Sequence, residues 1–368
     1  MTNEVLPGAT VGILGDGVTG RYLAQVAHNQ GFLVAAFSQE PKAPVLADAD
    51  YQFTSARDFD NFLGLADIVT YTSSWLPAEM IDRLHDSHLP QGTDLISYTD
   101  DHALSRAFCE EHALNILPYA IGVSLDDVAK ATELLGFPVV VKPIFKHQHH
   151  DDTVILRGIW DLGKVAPLID GGSIIIESWL DDVREFSLTA IKGRDAELVY
   201  YPIQETKRLD HYVRSAFTPQ DLPHDLLKEM YAVTERMGKL IAYQGAFHLN
   251  FFYSQQGNLY VRDLTAGIPD TDILYEATAS LSVVENHFRA ITGQALQTVR
   301  KEQVGIYLPV LESQKQALLW HWHMQSQWQI AVYNTSIHGR IGHVLARGED
   351  IDQLFNQLQV AHVWSNLD

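Results

Sequence analysis

The chain has 368 residues, 46% hydrophobic and 20% charged, which is ordinary for a globular protein of two or three domains. Its net charge of -20 argues against nucleic acid or an anionic membrane surface as a partner, because both would repel it. A single cysteine, Cys109, excludes an intrachain disulfide. We find neither a basic-then-apolar leader nor a long apolar run, so we expect a cytoplasmic protein.

The chain begins with a strand, a glycine-rich turn and an amphipathic helix. Gly15, Gly17 and Gly20 would let the turn point backbone amides at an anion, but the same pattern is common in generic strand–helix packing. The pattern predicts a small parallel α/β domain that ends near residue 97. Its predicted strands are VGIL (11–14), LVAAF (33–37), ADIVTY (66–71) and LIS (95–97).

Two apolar runs in the middle of the chain are each followed by an ionisable side chain. Val139–Val141 and Ile174–Ile176 are short and β-branched, which predicts buried strands. Lys142 follows the first, Glu177 follows the second, and Glu185 comes soon after. A lysine here can pair with phosphate, and carboxylates can accept hydrogen bonds from adenine or ribose. Half-exposed strand-end charges without a ligand are the commoner case, so this pattern alone leaves both interpretations open.

The remaining segments predict hairpins that alternate with helices, an α+β arrangement suited to cradling a nucleotide. Gln255-Gln256-Gly257-Asn258 predicts a hairpin turn between two late strands. Predicted helices cover 126–137, 225–243 and 280–293, and the predicted strands are SLTAI, AELVYYPI, GAFHLNFFY and NLYVRDL. After residue 300 we predict strands VGIYLPV, IAVYNTS and IGHVLARG and a final helix DIDQLFNQL.

Taken in order, several segments resemble the ATP-grasp superfamily and, within it, the 5-(carboxyamino)imidazole ribonucleotide synthases of purine biosynthesis (the PurK family). The segments are GILGDGVTGRYL, ADIVTY, ELLGFPVVVKP, IIIESWLDDVREFSL, YYPIQE, ENHFRAITG and GRIGHV. The resemblance implies an α/β and α+β ATP-grasp fold, often homodimeric. Its expected parts are an N-terminal parallel α/β (pre-ATP-grasp) domain over 1–97, an ATP-grasp domain over 98–300 and a small β-rich C-terminal domain over 301–368.

The resemblance also implies a ligase that couples ATP, bicarbonate and aminoimidazole ribonucleotide through carboxyphosphate, with Mg2+ as a cofactor. Lys142 takes the position of the ATP lysine, and Glu177 and Glu185 take the adenine and ribose positions. The nucleotide-binding residues that it implies are Lys142, Glu177, Ser178, Trp179, Leu180, Glu185, Arg208, Arg262 and Asp263. The implied metal positions are Asp263 and Asn250, and Gly15, Gly17 and Gly20 are implied to line the substrate.

The chain departs from the family where the chemistry is carried out. KHQHHDD (146–152) stands in place of the glycine loop GGYDGKG, whose backbone amides close over a triphosphate. Asn250 and Asp263 replace two magnesium-binding glutamates, and Arg262 replaces an asparagine. The substrate loop APRPHNSGH becomes TAGIPDTDI (265–273). Arg106 replaces a lysine and Arg208 replaces a histidine.

These departures leave three hypotheses open. The chain is a ligase of this family, or an enzyme with changed metal or substrate chemistry, or a non-catalytic paralogue that binds a nucleotide or serves as a partner of a complete synthase, for example in a heterodimer. The cluster His147, His149, His150, Asp151 and Asp152 resembles a metal site. Because it lacks helical i, i+4 spacing, a solvated turn is the favoured interpretation.

Overall fold

The structure is a computed structural model that describes residues 5–84, 89–145, 153–209, 212–337 and 339–364. Its contacts divide the chain into two compact units. Unit 1 comprises residues 1–93, 187–248 and 266–368, and unit 2 comprises residues 94–186 and 249–265. The three-domain boundaries derived from the sequence, at 97/98 and 300/301, stay a prediction.

In chain order the strands are β1 (Thr10–Leu14), β2 (Leu33–Phe37), β3 (Tyr51–Phe53), β4 (Ile68–Tyr71), β5 (Tyr119–Gly122), β6 (Val139–Pro143), β7 (Val154–Leu156), β8 (Ile174–Ser178), β9 (Arg184–Lys192), β10 (Leu198–Tyr200), β11 (Gln204–Leu209), β12 (Tyr212–Phe217), β13 (Gly245–Tyr253), β14 (Leu259–Ala266), β15 (Val304–Leu311), β16 (Trp328–Ile337) and β17 (Arg340–Gly348). The α-helices are α1 (Val18–Asn29), α2 (Pro44–Ala47), α3 (Phe59–Leu65), α4 (Ala78–Ile81), α5 (Asp94–Asp100), α6 (His102–Glu111), α7 (Leu125–Leu135), α8 (Ala166–Asp170), α9 (His224–Leu240), α10 (Tyr275–Thr278), α11 (Val283–Thr292), α12 (Lys315–His321) and α13 (Ile351–Val360).

The N-terminal part of unit 1 is the parallel sheet that the sequence predicts, with strand order β3-β2-β1-β4. β1 is buried along its whole length, as expected of a parallel strand covered on both faces. Gly15 adopts a φ of +143°, and an added Cβ would lie 2.6 Å from the Thr72 hydroxyl, so only glycine fits this turn. The small parallel α/β domain predicted from the sequence is confirmed by this sheet.

One predicted strand is wrong. The segment LIS (95–97) lies inside α5, where Leu95 and Ile96 are buried on one side of the helix. A three-residue apolar run is compatible both with a short strand and with one buried turn of a helix, because it is too short to show either periodicity. The predicted hairpin at Gln255–Asn258 is confirmed between β13 and β14, with Gly257 at a φ of +82°.

Unit 2 contains an antiparallel sheet of order β5-β8-β6-β7, in agreement with the two buried strands predicted from the β-branched runs. Val139, Val141, Ile174 and Ile176 form its core with α7, which Ser124 caps by accepting a hydrogen bond from the Asp127 amide.

A larger sheet has the order β14-β13-β9-β11-β12-β15-β17-β16, with β10 paired to β9. Within the described residues, no helix is long and apolar enough to cross a membrane.

Candidate functional site

Lys142 and Glu177 are brought together by the register of β6 and β8. These strands are antiparallel neighbours in which Val140 lies opposite Glu177 and Lys142 lies opposite Ile175. Lys142 is therefore on the same face as Glu177, as its diagonal neighbour. The Lys142 Nζ lies 2.5 Å from the Glu177 Oε2, and the Lys142 side chain is 21% exposed. The structure thus joins the two strand-end residues that the sequence singles out.

Arg106 completes this ion cluster from α6. Its Nε donates to the Glu177 Oε1 at 2.5 Å, and both residues are only 4% exposed. The sequence analysis noted Arg106 as a replacement for a lysine but missed its pairing with Glu177. A signal was present, because Arg106 and Cys109 lie three residues apart on the buried stripe of α6. A basic residue on an apolar helix face requires a carboxylate partner.

The two cations hold Glu177 ionised. Burial by itself would raise the pKa of Glu177, but the positive charges of Lys142 and Arg106 outweigh it and lower the pKa to about 2. Burial is also the largest influence on Lys142 and lowers the pKa of its ammonium group, although Glu177 opposes this effect. Glu177 is therefore a fixed anion at neutral pH with a cation on each of its oxygens.

A second set of polar residues lies on β9, β13 and β14 of unit 2. The Arg262 Nη1 donates to the Glu185 Oε2 at 2.8 Å, and its Nε lies 3.4 Å from the Asp263 Oδ2. The Asp263 Oδ1 accepts hydrogen bonds from the Asn250 Nδ2 at 2.5 Å and from the Thr265 hydroxyl at 3.0 Å. The Arg106 Nη1 also donates to the Arg262 carbonyl at 2.5 Å, which ties this set to the Glu177 cluster.

These donors do not fit the magnesium ion that the family resemblance implies. Magnesium requires oxygen ligands in near-octahedral geometry. Asn250 turns its amide nitrogen toward Asp263, and the Arg262 guanidinium lies against the other carboxylate oxygen. Across the residues that the structure describes, no group of three or more His, Cys, Asp or Glu side chains is arranged to hold a metal.

The other predicted site residues that the structure describes lie in three places: directly after Glu177, on β11, and at the start of α1 with the turn before it. Ser178 and Trp179 follow Glu177, and their amides donate to the Pro118 and Pro138 carbonyls. Leu180 is half-buried beside them. Arg208 lies in unit 1, exposed on β11. Gly17 begins α1, Gly20 packs against Val45, and Gly15 forms the turn described above. The predicted cluster from His147 to Asp152 lies outside the described residues.

Unit 1 contains a buried polar cluster that the sequence analysis missed. The Thr189 hydroxyl lies 2.9 Å from the His248 Nδ1 and 3.1 Å from each oxygen of Asp272. The His248 Nε2 is 2.8 Å from the Gly267 carbonyl, which can only accept, so this nitrogen carries the proton and Nδ1 is an acceptor when the ring is neutral. The Thr189 hydroxyl donates to both oxygens of Asp272, and the Gln204 amide donates to the Asp272 Oδ1 at 3.2 Å.

The buried environment of Asp272 disfavours its charged form. Asp272 is 1% exposed, and burial raises its pKa well above the usual value, although hydrogen bonds from Thr189 and Gln204 oppose the shift. The sequence offers one signal for this cluster: in TAGIPDTDI, Asp272 is followed directly by the apolar Ile273. Burying an aspartate beside such a residue is costly unless polar partners surround it. Sequence spacing could not reveal Thr189 or His248 as its partners.

Comparisons with known proteins agree with the family resemblance. Residues 107–272 match the model of the ATP-grasp domain. The N5-carboxyaminoimidazole ribonucleotide synthase of Staphylococcus saprophyticus is 26% identical over 95% of this chain and 96% of its own. A solved ADP complex of the purK N5-carboxyaminoimidazole ribonucleotide synthetase superposes with a TM-score of 0.93, with 20% identity and 99% of each chain covered. The Staphylococcus aureus N5-carboxyaminoimidazole synthetase complexed with ADP gives 0.91, with 20% identity and 98% coverage of each chain.

Proposed function

We propose that this ATP-grasp protein, similar over nearly its whole length to N5-carboxyaminoimidazole ribonucleotide synthases, is an ATP-dependent ligase that carboxylates aminoimidazole ribonucleotide. The observation that carries the proposal is the ion pair in unit 2 between Lys142 and Glu177, two positions that the resemblance assigns to the nucleotide, with Arg106 as the second partner of Glu177. The near-full-length likeness to synthases of this activity supports it.

The residues of unit 2 have distinct roles in this proposal. Lys142 is the partly exposed cation, so its ammonium group can turn from Glu177 to a nucleotide phosphate while Arg106 keeps Glu177 paired. Glu185, whose side chain is 21% exposed, would accept hydrogen bonds from ribose hydroxyls. The bound nucleotide would supply the phosphoryl group that activates bicarbonate.

The direct test measures ADP release from ATP by the purified protein, with aminoimidazole ribonucleotide and bicarbonate added together and separately. We expect ADP release to require both substrates. In Lys142→Met, kcat/KM should fall at least tenfold, because a charge-assisted contact to phosphate disappears. Lys130→Met is the matched control, since Lys130 is an exposed lysine on α7 of the same unit. Release that ignores both substrates would contradict the proposal.

A second function, nucleotide binding without turnover, is favoured by the surroundings of Asp263. A neutral amide and a guanidinium occupy both of its oxygens, which leaves no carboxylate pair for a dication between phosphates. In this case ADP and ATP bind, but no phosphate is released under any substrate condition. A homodimer or a heterodimer with a complete synthase stays a prediction, which light scattering of the purified chain would test.

A further inference from the structure

We propose that the Arg262 guanidinium takes the place of a divalent cation in unit 2, so that an adenine nucleotide binds there without a metal. The inference rests on the proposed nucleotide site and deepens it, and it holds for a ligase and for a binding protein alike. Its starting point is the disagreement between the magnesium that the family resemblance implies and the donors that surround Asp263.

Asp263 is the only carboxylate of the Asn250–Asp263 pair, and both of its oxygens are engaged. Oδ1 accepts from Asn250 and Thr265, and Oδ2 faces the Arg262 Nε at 3.4 Å. A dication at Asp263 would lie next to a guanidinium and beside an amide that presents N–H groups. Both contacts are repulsive, and magnesium dehydrates reluctantly even in favourable sites. The site therefore selects against the metal.

Arg262 is held where a metal charge would otherwise be supplied. Its Nη1 donates to Glu185 at 2.8 Å, its guanidinium lies 5.5 Å from the centre of the Phe252 ring, and Arg106 donates to its carbonyl. Burial would lower the pKa of Arg262, but Glu185 and Asp263 outweigh this and raise it, so the positive charge is permanent. The side chain is 27% exposed, which leaves it accessible to a phosphate.

The charge balance of the whole cluster supports this assignment. The ion pairs between described residues join three cations and three anions, whose formal charges cancel: Arg106, Lys142, Arg262, Glu177, Glu185 and Asp263. The positive charge of Arg262 helps to lower the pKa of Lys142, so the two most exposed cations of the cluster act on each other electrostatically. A guanidinium can contact two phosphate oxygens at once and is weakly hydrated, whereas magnesium dehydrates reluctantly.

The test is calorimetric titration of the intact protein with ADP, in excess magnesium and in excess EDTA. We expect the two dissociation constants to agree within about twofold, since no metal bridges protein and phosphate. Binding that weakens tenfold or more in EDTA would overturn the inference and leave the proposed nucleotide site standing. Absence of binding in both buffers would overturn both, so the two failures are distinguishable.

Variants identify the residue responsible. Arg262→Met should weaken ADP binding by about tenfold or more in EDTA, because a charge-assisted contact is lost, whereas Arg262→Lys should retain most of it. The double variant Asn250→Asp with Arg262→Asn restores two carboxylates without the guanidinium, and its ADP affinity should become magnesium-dependent. Lys130→Met is the control for an exposed charge in the same unit. Wild-type affinity in Arg262→Met would contradict the inference, and thermal unfolding of each variant checks that it folds.

Discussion

The two units bury ionisable side chains in opposite ways. In unit 2, Glu177 and Arg106 are each 4% exposed and remain charged, because each carboxylate oxygen faces a cation. In unit 1, Asp272 is also buried, but its described contacts are with Thr189, Gln204 and His248, and burial raises its pKa well above the usual value. His287, also in unit 1, has its pKa lowered to about 3 by burial, reinforced by His248, and is neutral at pH 7.

The difference is between a region that keeps its buried groups charged by pairing them and a region that keeps its buried groups neutral. Burying a charge is costly unless a partner compensates, so a protein either pairs the group or removes its charge. The paired cluster of unit 2 keeps cations that a phosphate can use. The neutral cluster of unit 1 fixes the backbone of the loop after β14 through the His248 contact to Gly267. Three experiments test this contrast.

The largest loss of stability is expected on removing the Glu177 carboxylate, which pairs with two cations in unit 2. Glu177→Ala leaves Arg106 and Lys142 without their shared carboxylate in a buried setting, which should lower the free energy of unfolding by about 3–5 kcal/mol. Urea unfolding followed by circular dichroism measures it. The matched control is Glu133→Ala, an exposed glutamate on α7, with an expected change within about 0.5 kcal/mol. A loss below about 1 kcal/mol for Glu177→Ala would show that the pairing contributes little.

The two units should also lose stability in different pH ranges. The pKa of His287 is about 3 in the folded chain and 6.5 ordinarily, so its stabilising contribution is complete above pH 6.5 and declines as pH falls. At pH 5 the loss should be on the order of 2 kcal/mol, from 1.5 pH units at about 1.4 kcal/mol each. The pKa of Glu177, about 2 against an ordinary 4.5, makes its contribution decline only below pH 4.5.

Amide hydrogen exchange between pH 7 and 4.5 measures the protection of each unit separately. The rates must first be corrected for the intrinsic pH dependence of exchange. Protection in β1 and β4 of unit 1 should fall first, while β6 and β8 of unit 2 keep theirs. His287→Gln should remove most of the decline in unit 1, and the exposed His224→Gln should leave it unchanged. Equal declines in both units above pH 4.5 would contradict the contrast.

The smallest effect is expected from replacing the neutral acid of unit 1. Asp272→Asn keeps an oxygen that can accept from Thr189 and Gln204, but it cannot ionise. Since a raised folded pKa means that stability is lost as pH rises above 3.8, the variant should be more stable than the wild type at pH 7, by about 1 kcal/mol. Asp195→Asn, in an exposed turn, is the control for urea unfolding. A destabilised Asp272→Asn would show that the aspartate is ionised.

Much of this arrangement could be anticipated from the sequence, because the relevant signals are local. β-branched runs bounded by Pro and Gly predicted β6 and β8, and with them the strand positions of Lys142 and Glu177. The glycine spacing and the Gln255–Asn258 turn likewise depend on a few neighbouring residues. The short run LIS failed because three residues do not define a period.

The missed contacts are those between distant segments. Arg106 and Glu177 are 71 residues apart, and Thr189 and Asp272 are 83 apart, so no local pattern connects them. Family resemblance placed Asn250 and Asp263 at the metal positions, but only the structure shows the amide nitrogen turned toward the carboxylate. Partners of buried polar groups depend on tertiary packing, which spacing along one chain does not encode.

The discontinuity of unit 2 has a consequence for synthesis of the protein. The contact between Arg106 and the Arg262 carbonyl spans 156 residues, whereas Lys142, Glu177 and Arg106 all belong to the first segment of the unit. During translation the Glu177 trio can pair early, but Glu185 must wait for Arg262 until the hairpin of β13 and β14 has left the ribosome. A nascent chain that stops before residue 262 therefore cannot complete the cluster, and nucleotide capture should begin only near the end of synthesis of the second segment.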